Sequence, residues 1–265
     1  MNFISYADLY KDINDFAGII PKVNMVIGVP RSGLMVASRL ALLLQVPLAY
    51  FDFNSKKVID VGGGARHRNV AGGKPLVIDD SIDTGASLNS VMEVLGANEI
   101  YYGAIYGSDR KYTRFHAPIL IGKHVPNPRL FEWNFLNTKT VETACVDIDG
   151  VLCKDPKKYD VDSLRSHYVL AEPLHRSAYE IDTILTSRPE SARLTTQRWL
   201  GRNSIRYKNL IMRSNMDMEP EVFKSLEYGK SPCTLFVESD DAIAKFVTKH
   251  TGKPVICTDT MKIYA

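Results

Sequence analysis

Short apolar runs that stop abruptly at an acid or a glycine, each followed by a turn and then by helical spacing, recur along all 265 residues of this chain. Met25-Val26-Ile27 leads into a turn over 28–33 and a helical stretch over 34–44. Leu76-Val77-Ile78 runs into Asp79 and a helix over 86–95, and Ala144-Cys145-Val146 runs into Asp147. Runs this short suit strands buried on both faces, and a helix between consecutive strands is the return that parallel neighbours need. The pattern predicts an α/β fold with mostly parallel sheets.

The remaining elements follow the same logic. Ser5 and Asp8 predict a capped helix start, with Tyr6, Leu9, Tyr10, Ile13 and Phe16 at helical spacing over 6–17 and Gly18 and Pro21 ending it. Strands are expected over 47–53, 101–106 and 119–120. Pro118, Pro126 and Pro128 then break the pattern, as does the aromatic run Phe131-Glu132-Trp133-Asn134-Phe135. It restarts at Ala144, with strands expected over 183–185, 209–212, 234–237 and 255–256. Two doubly wound domains are therefore expected, 1–140 and 141–265, with no internal repeat.

Charge and cysteine usage narrow the function classes. Lys and Arg number 33 against 30 acids, a net charge of +3. Arg66-His67-Arg68, in a glycine-rich stretch, is the nearest thing to a basic stripe, so a nucleic-acid partner is not expected. Cys145, Cys153, Cys233 and Cys257 form no CxxC pair and read as buried reduced thiols. The N-terminus has no signal pattern, and the apolar run 40–44 is too short to cross a bilayer. A cytoplasmic protein with no membrane partner is expected.

In Val77-Ile78-Asp79-Asp80-Ser81-Ile82-Asp83-Thr84-Gly85-Ala86-Ser87, an apolar strand delivers two acids and a Thr-Gly-x-Ser turn opens a helix. Unpaired amides at a helix start favour a phosphate, Thr84 and Ser87 add hydroxyls, and Gly85 allows close approach. The acids suit ribose hydroxyls, directly or through magnesium. This run resembles the 5-phosphoribosyl-1-pyrophosphate (PRPP) motif of type I phosphoribosyltransferases. Upstream, Ile27-Gly28-Val29-Pro30-Arg31-Ser32-Gly33-Leu34 resembles that family's pyrophosphate loop.

The resemblance implies a PRPP site made of Arg31, Ser32, Gly33, Asp79, Asp80, Thr84, Gly85, Ala86 and Ser87. It also implies a closing loop over 55–73 carrying Arg66, a catalytic acid at Asp83, and an aromatic hood for the base at 131–135. A homodimer is compatible with it.

The second acidic strand end is Ala144-Cys145-Val146-Asp147-Ile148-Asp149-Gly150, with Leu185-Thr186-Ser187-Arg188, Lys224 and Glu238-Ser239-Asp240-Asp241 following in order. By itself Asp-x-Asp-Gly also fits an Asp-turn or a calcium-type loop. In this order the four pieces resemble the motifs of haloacid dehalogenase (HAD)-superfamily phosphohydrolases.

That resemblance implies Asp147 as nucleophile, Asp149 as general acid/base, Thr186 on the phosphoryl oxygens and Lys224, rather than Lys230, as the neutralising lysine. Mg²⁺ would be held by Asp147, Asp149, Glu238 and Asp240, with Asp241 the alternative to Asp240. Only about 35 residues separate Gly150 from Thr186, so a minimal cap is expected, leaving the site open or covered by the first domain.

Together these motifs predict a bifunctional enzyme of nucleotide metabolism. It would move a phosphoribosyl group from PRPP to a nitrogen base and hydrolyse a phosphomonoester, with Mg²⁺ in both steps. The alternative is a PRPP-sensing regulatory domain attached to a phosphatase.

Overall fold

The computed structural model describes residues 1–62, 71–108 and 117–265; Arg66, His67 and Arg68 lie outside these. The chain divides into two compact units between Arg129 and Leu130, upstream of the boundary near 140 expected from sequence. Two short strands, β1 (Asn2–Ile4) and β8 (Arg129–Phe131), fall at the division.

The N-terminal unit, Ile4–Arg129, begins with α1 (Tyr6–Ala17). Its start is a reciprocal capping box: the Ser5 hydroxyl accepts from the Asp8 amide, and the Asp8 carboxylate accepts from the Ser5 amide. Strands β2 (Val23–Gly28), β3 (Leu48–Asp52), β4 (Lys57–Gly62), β5 (Lys74–Ile82), β6 (Tyr101–Gly107) and β7 (Ile119–His124) form one sheet in the order β4-β3-β2-β5-β6-β7. All pairs are parallel except β3–β4, so the glycine-rich stretch opens as the second arm of a hairpin. Helices α2 (Gly33–Leu44) and α3 (Ala86–Leu95) follow the two central strands. The core of buried Ile27, Val77, Leu88, Val91 and Tyr102 is what the apolar strand pattern encodes.

The C-terminal unit, Leu130–Ala265, is a second sheet of β9 (Ala144–Val146), β10 (Ile181–Pro189), β11 (Tyr207–Arg213), β12 (Leu235–Glu238), β13 (Val255–Cys257) and β14 (Lys262–Tyr264). Its order is β11-β10-β9-β12-β13-β14, parallel except for the edge strand β14. Helices α4 (Val161–Leu170), α5 (Arg193–Arg202), α6 (Pro220–Lys230) and α7 (Asp241–Thr251) complete it. Reversal of connection direction about β9 opens a crevice at the carboxyl ends of the strands, where ligands of such sheets bind. The four cysteines are buried and unlinked. Among the described residues no helix is long and apolar enough to cross a membrane.

One sequence expectation is corrected here. Phe135 is buried with Leu130, Leu136 and Val141 in the core of the C-terminal unit, so the expected hood supplies packing there. The segment between Gly150 and Thr186, where a minimal cap is expected, holds one helix of 10 residues, α4.

Candidate active sites

In the N-terminal unit, β2 and β5 run side by side with Gly28 paired to Ile78, so the turns that follow them adjoin. The Val29 amide donates to the Ile78 carbonyl at 3.0 Å. Ser32 Oγ donates to Asp80 Oδ1 at 2.8 Å. A Cβ on Gly33 would lie 2.9 Å from both Asp79 Oδ1 and the Ile78 carbonyl, so only glycine lets α2 start this close. Two motifs separated by 48 residues thereby become one site. Arg31 is exposed on this turn, beside a cis Pro30–Arg31 peptide.

The acids are set inside the end of β5, which continues to Ile82. The Asp80 amide donates to Asp79 Oδ1 at 2.9 Å. Burial first, then the adjacent Asp80, pushes the Asp79 carboxyl up to about 8. Two crowded carboxylates in a half-dry setting are a hard-oxygen donor set that fits Mg²⁺ or ribose hydroxyls.

Gly85 takes a left-handed conformation (φ 76°) as N-cap of α3 with no side-chain capping bond. The Ala86 amide donates to Thr84 Oγ1 at 3.4 Å, and exposed Thr84, Ala86 and Ser87 flank a helix start that suits an anion. Asp83 Oδ1 accepts from Asn127 Nδ2 at 2.9 Å, a bond that fixes its orientation.

In the C-terminal unit, Asp147 follows the central strand β9, its amide donating to the Val237 carbonyl of β12 at 2.9 Å. Gly150 has φ 75°, and a Cβ there would fall 2.2 Å from Ser239 Oγ. The sharp turn behind the two aspartates therefore needs glycine. Lys224 of α6 is 3% exposed and donates to Asp147 Oδ2 at 2.6 Å and Glu238 Oε2 at 2.5 Å.

Burial raises the Asp147 carboxyl more than Lys224 lowers it, and Glu238 and Asp149 add repulsion, so it sits at about 7. For Lys224, burial favours the neutral amine, but the two carboxylates outweigh it and hold the ammonium charged. Two buried carboxylates thus share one cation, and a divalent ion between Asp147 and Glu238 fits that charge excess.

Asp149 is differently occupied. Its Oδ1 faces Arg188 Nη2 (2.7 Å), His167 Nε2 (2.9 Å) and Cys153 Sγ (3.3 Å), and its Oδ2 accepts from Arg188 Nε (2.9 Å). Burial pushes this carboxyl up, but Arg188 and then His167 prevail and hold it well below the usual range. Facing a carboxylate, His167 Nε2 must carry the proton.

Asp149, Cys153 and His167 present ligand atoms within 4.8 Å of one another. The Arg188 guanidinium contacts two of the three, so a metal ion there would meet a fixed positive charge. With its oxygens on Arg188 and His167, the Asp149 side chain is a poor fit to the Mg²⁺ set expected from sequence.

The other expected residues separate clearly. Thr186 is 1% exposed at the end of β10 and lines a cavity of about 920 Å³ with Asp147, Asp149, Lys224, Glu238 and Asp240. Asp240 also caps α7, accepting from the Ile243 amide. Asp241 is bound instead to Lys245 and Tyr264. Lys230 pairs with Glu227 at the surface, away from the acids.

Helix α4 lines one side of the cavity. Sequence reasoning missed His167 altogether and gave Arg188 no role. Arg188, at the end of the same Thr-Ser-Arg run, carried the only available signal.

Residues 5–100 match the family model described as phosphoribosyl transferase domain. These residues are a type I phosphoribosyltransferase domain. The transcriptional regulator GfcR 2 of Methanosarcina barkeri is 34% identical over 77 residues. That match covers 28% of this chain and 38% of the regulator, so the chain spans well under half of that relative.

Among solved structures, a purine phosphoribosyltransferase from Pyrococcus horikoshii superposes with a TM-score of 0.36 at 23% identity, covering 50% of this chain and 92% of the other. The xanthine-guanine-hypoxanthine phosphoribosyltransferase of Helicobacter pylori gives 0.35 at 19%, covering 50% and 90%.

Proposed function

We propose that the chain is a bifunctional enzyme, a Mg²⁺-dependent phosphoribosyltransferase joined to a HAD-type phosphomonoesterase. The transferase reading rests on the Ser32–Asp80 hydrogen bond, which merges the pyrophosphate turn with the acidic pair. Arg31 and the turn amides hold the diphosphate of PRPP, while Thr84, Gly85, Ala86 and Ser87 hold the 5-phosphate. Asp79 and Asp80 orient the ribose hydroxyls, and Asp83 stands as the acid beside them. The C1–O bond breaks, pyrophosphate leaves, and a nitrogen base takes its place at C1. When bound, Mg²⁺ neutralises the leaving diphosphate here and the phosphoryl oxygens at the second site.

The hydrolase reading rests on Lys224 joining Asp147 and Glu238. Asp147 attacks phosphorus as the ester P–O bond breaks and the alcohol leaves, giving an aspartyl-phosphate, with Thr186 and Lys224 stabilising the phosphoryl oxygens. As a carboxylate, Asp149 is competent to deprotonate the water that cleaves this intermediate. Protonating the leaving group first requires its Arg188 and His167 bonds to loosen.

Labelled PRPP offered with a panel of bases should release pyrophosphate, and phosphomonoesters should release phosphate until Asp147 is replaced by Asn. Absence of both products overturns the reading. The match to a regulator favours a second reading, in which the first domain binds PRPP as a sensor; labelled PRPP would then bind without being consumed.

A further inference from the structure

Helix α4 turns its apolar stripe toward the cavity instead of toward a core. Val161, Leu164, Tyr168 and Val169 all line the cavity, and their spacing places them on one helix face. Of α4, only Tyr168 is buried, while Val161 is 64% and Val169 40% exposed. An amphipathic helix that leaves this face to water lacks the partner that would normally cover it. Met216, 53% exposed, and Ile243 line the same cavity.

The chemistry of this wall narrows what covers it. Arg165 and Arg213 lie among the apolar groups, and Arg213 Nε is buried without a hydrogen-bond partner. Guanidinium and tyrosine faces stack on flat rings and present donors to ring edges, which an acyl chain cannot use. A bare sugar phosphate would leave the apolar stripe wet. Asp240 and Asp259, at the polar side of the cavity, suit sugar hydroxyls.

Spacing decides how far the ring stands from phosphorus. His167, on α4, touches Asp149, and the helix runs back from there about 5 Å to Leu164 and about 9 Å to Val161. Tyr168 and Val169 adjoin His167, so it is the outer part of the stripe, Leu164 and Val161, that stands about one sugar's length from the acids. A cavity of about 920 Å³ holds a ligand of nucleoside monophosphate size.

We propose that the phosphatase site takes nucleoside monophosphates, with the base lying on the outer α4 face formed by Val161 and Leu164. This rests on the phosphatase reading and deepens it. It also makes a phosphoribosyltransferase product a chemically suitable substrate for the second site.

The test compares a nucleoside 5′-monophosphate with ribose 5-phosphate, which has the same sugar and phosphoryl group but no base, and with phosphotyrosine. Turnover is measured with Mg²⁺, and equilibrium binding to the wild-type chain without it. The nucleotide should exceed both others at least tenfold in kcat/KM and in affinity. Leu164→Ala and Val161→Ser should raise its KM several-fold and leave turnover of ribose 5-phosphate unchanged.

Equal handling of nucleotide and ribose 5-phosphate, a preference for phosphotyrosine, or loss of both activities in the α4 variants overturns the inference. Selective nucleotide binding that Leu164→Ala weakens, without turnover of any ester, would instead overturn the phosphatase reading and leave the base-binding face standing.

Discussion

Replacing Lys224 by Met tests the charge arrangement at the second site. The ammonium is 3% exposed and bridges Asp147, 4% exposed, and Glu238, 1% exposed. Removing it leaves two buried carboxylates facing each other. Breaking a buried ion pair by deleting one partner costs about 3–5 kcal/mol. At the size of the C-terminal unit that lowers Tm by roughly 10–20 °C.

The loss is pH-dependent, with a definite sign. In the variant the Asp147 carboxyl, already raised by burial, loses the cation that lowers it, so the folded state binds more protons than the unfolded one and stability falls as pH rises. The deficit is greatest near neutral pH and shrinks toward about pH 5 as Asp147 takes up a proton. Both tryptophans, Trp133 and Trp199, belong to the C-terminal unit, so urea unfolding followed by their fluorescence reads this unit selectively. Adding Glu238→Gln should recover part of the loss. A deficit below about 1 kcal/mol that is the same at acid and neutral pH would refute the reasoning.

Other outcomes follow from the same geometry. Gly150→Ala must accommodate a Cβ 2.2 Å from Ser239 Oγ at φ 75°; it should cost about 2 kcal/mol or more in unfolding assays and abolish phosphatase activity. Asp79→Asn removes a carboxyl that burial and Asp80 hold near 8, so it should leave stability equal or higher while weakening Mg²⁺–PRPP binding at least tenfold by calorimetry. Without Mg²⁺, the Asp147 carboxyl should titrate near 7 when followed by carboxylate infrared absorption against Asp147→Asn; a carboxyl titrating near 4 would contradict this.

Much of this was legible because buried strands and the acids at their ends are local patterns. Ile78-Asp79-Asp80 and Val146-Asp147 announce themselves within a few residues. Lys224 could be named because α6 precedes β12 and leads back to the same sheet end.

What was not legible depends on tertiary packing. His167 is a lone histidine on a helix whose apolar face has no core partner, so nothing local marks it as touching Asp149. Asp240 and Asp241 are adjacent acids, told apart only by the N-cap of α7 and by Tyr264. The aromatic run at 131–135 has the composition of a base-binding hood, yet Phe135 packs into the core of the C-terminal unit, to which the run belongs. Composition cannot say which neighbour an aromatic side chain meets.

The most direct measurement follows one reaction mixture of labelled PRPP, Mg²⁺ and an accepted base, run with wild type and with Asp147→Asn. Both proteins should release pyrophosphate, and only the wild type should go on to give inorganic phosphate and a dephosphorylated nucleoside. If neither protein consumes PRPP, or if Asp147→Asn releases phosphate as fast as wild type, the assignment of two phosphate-handling sites to these residues is wrong.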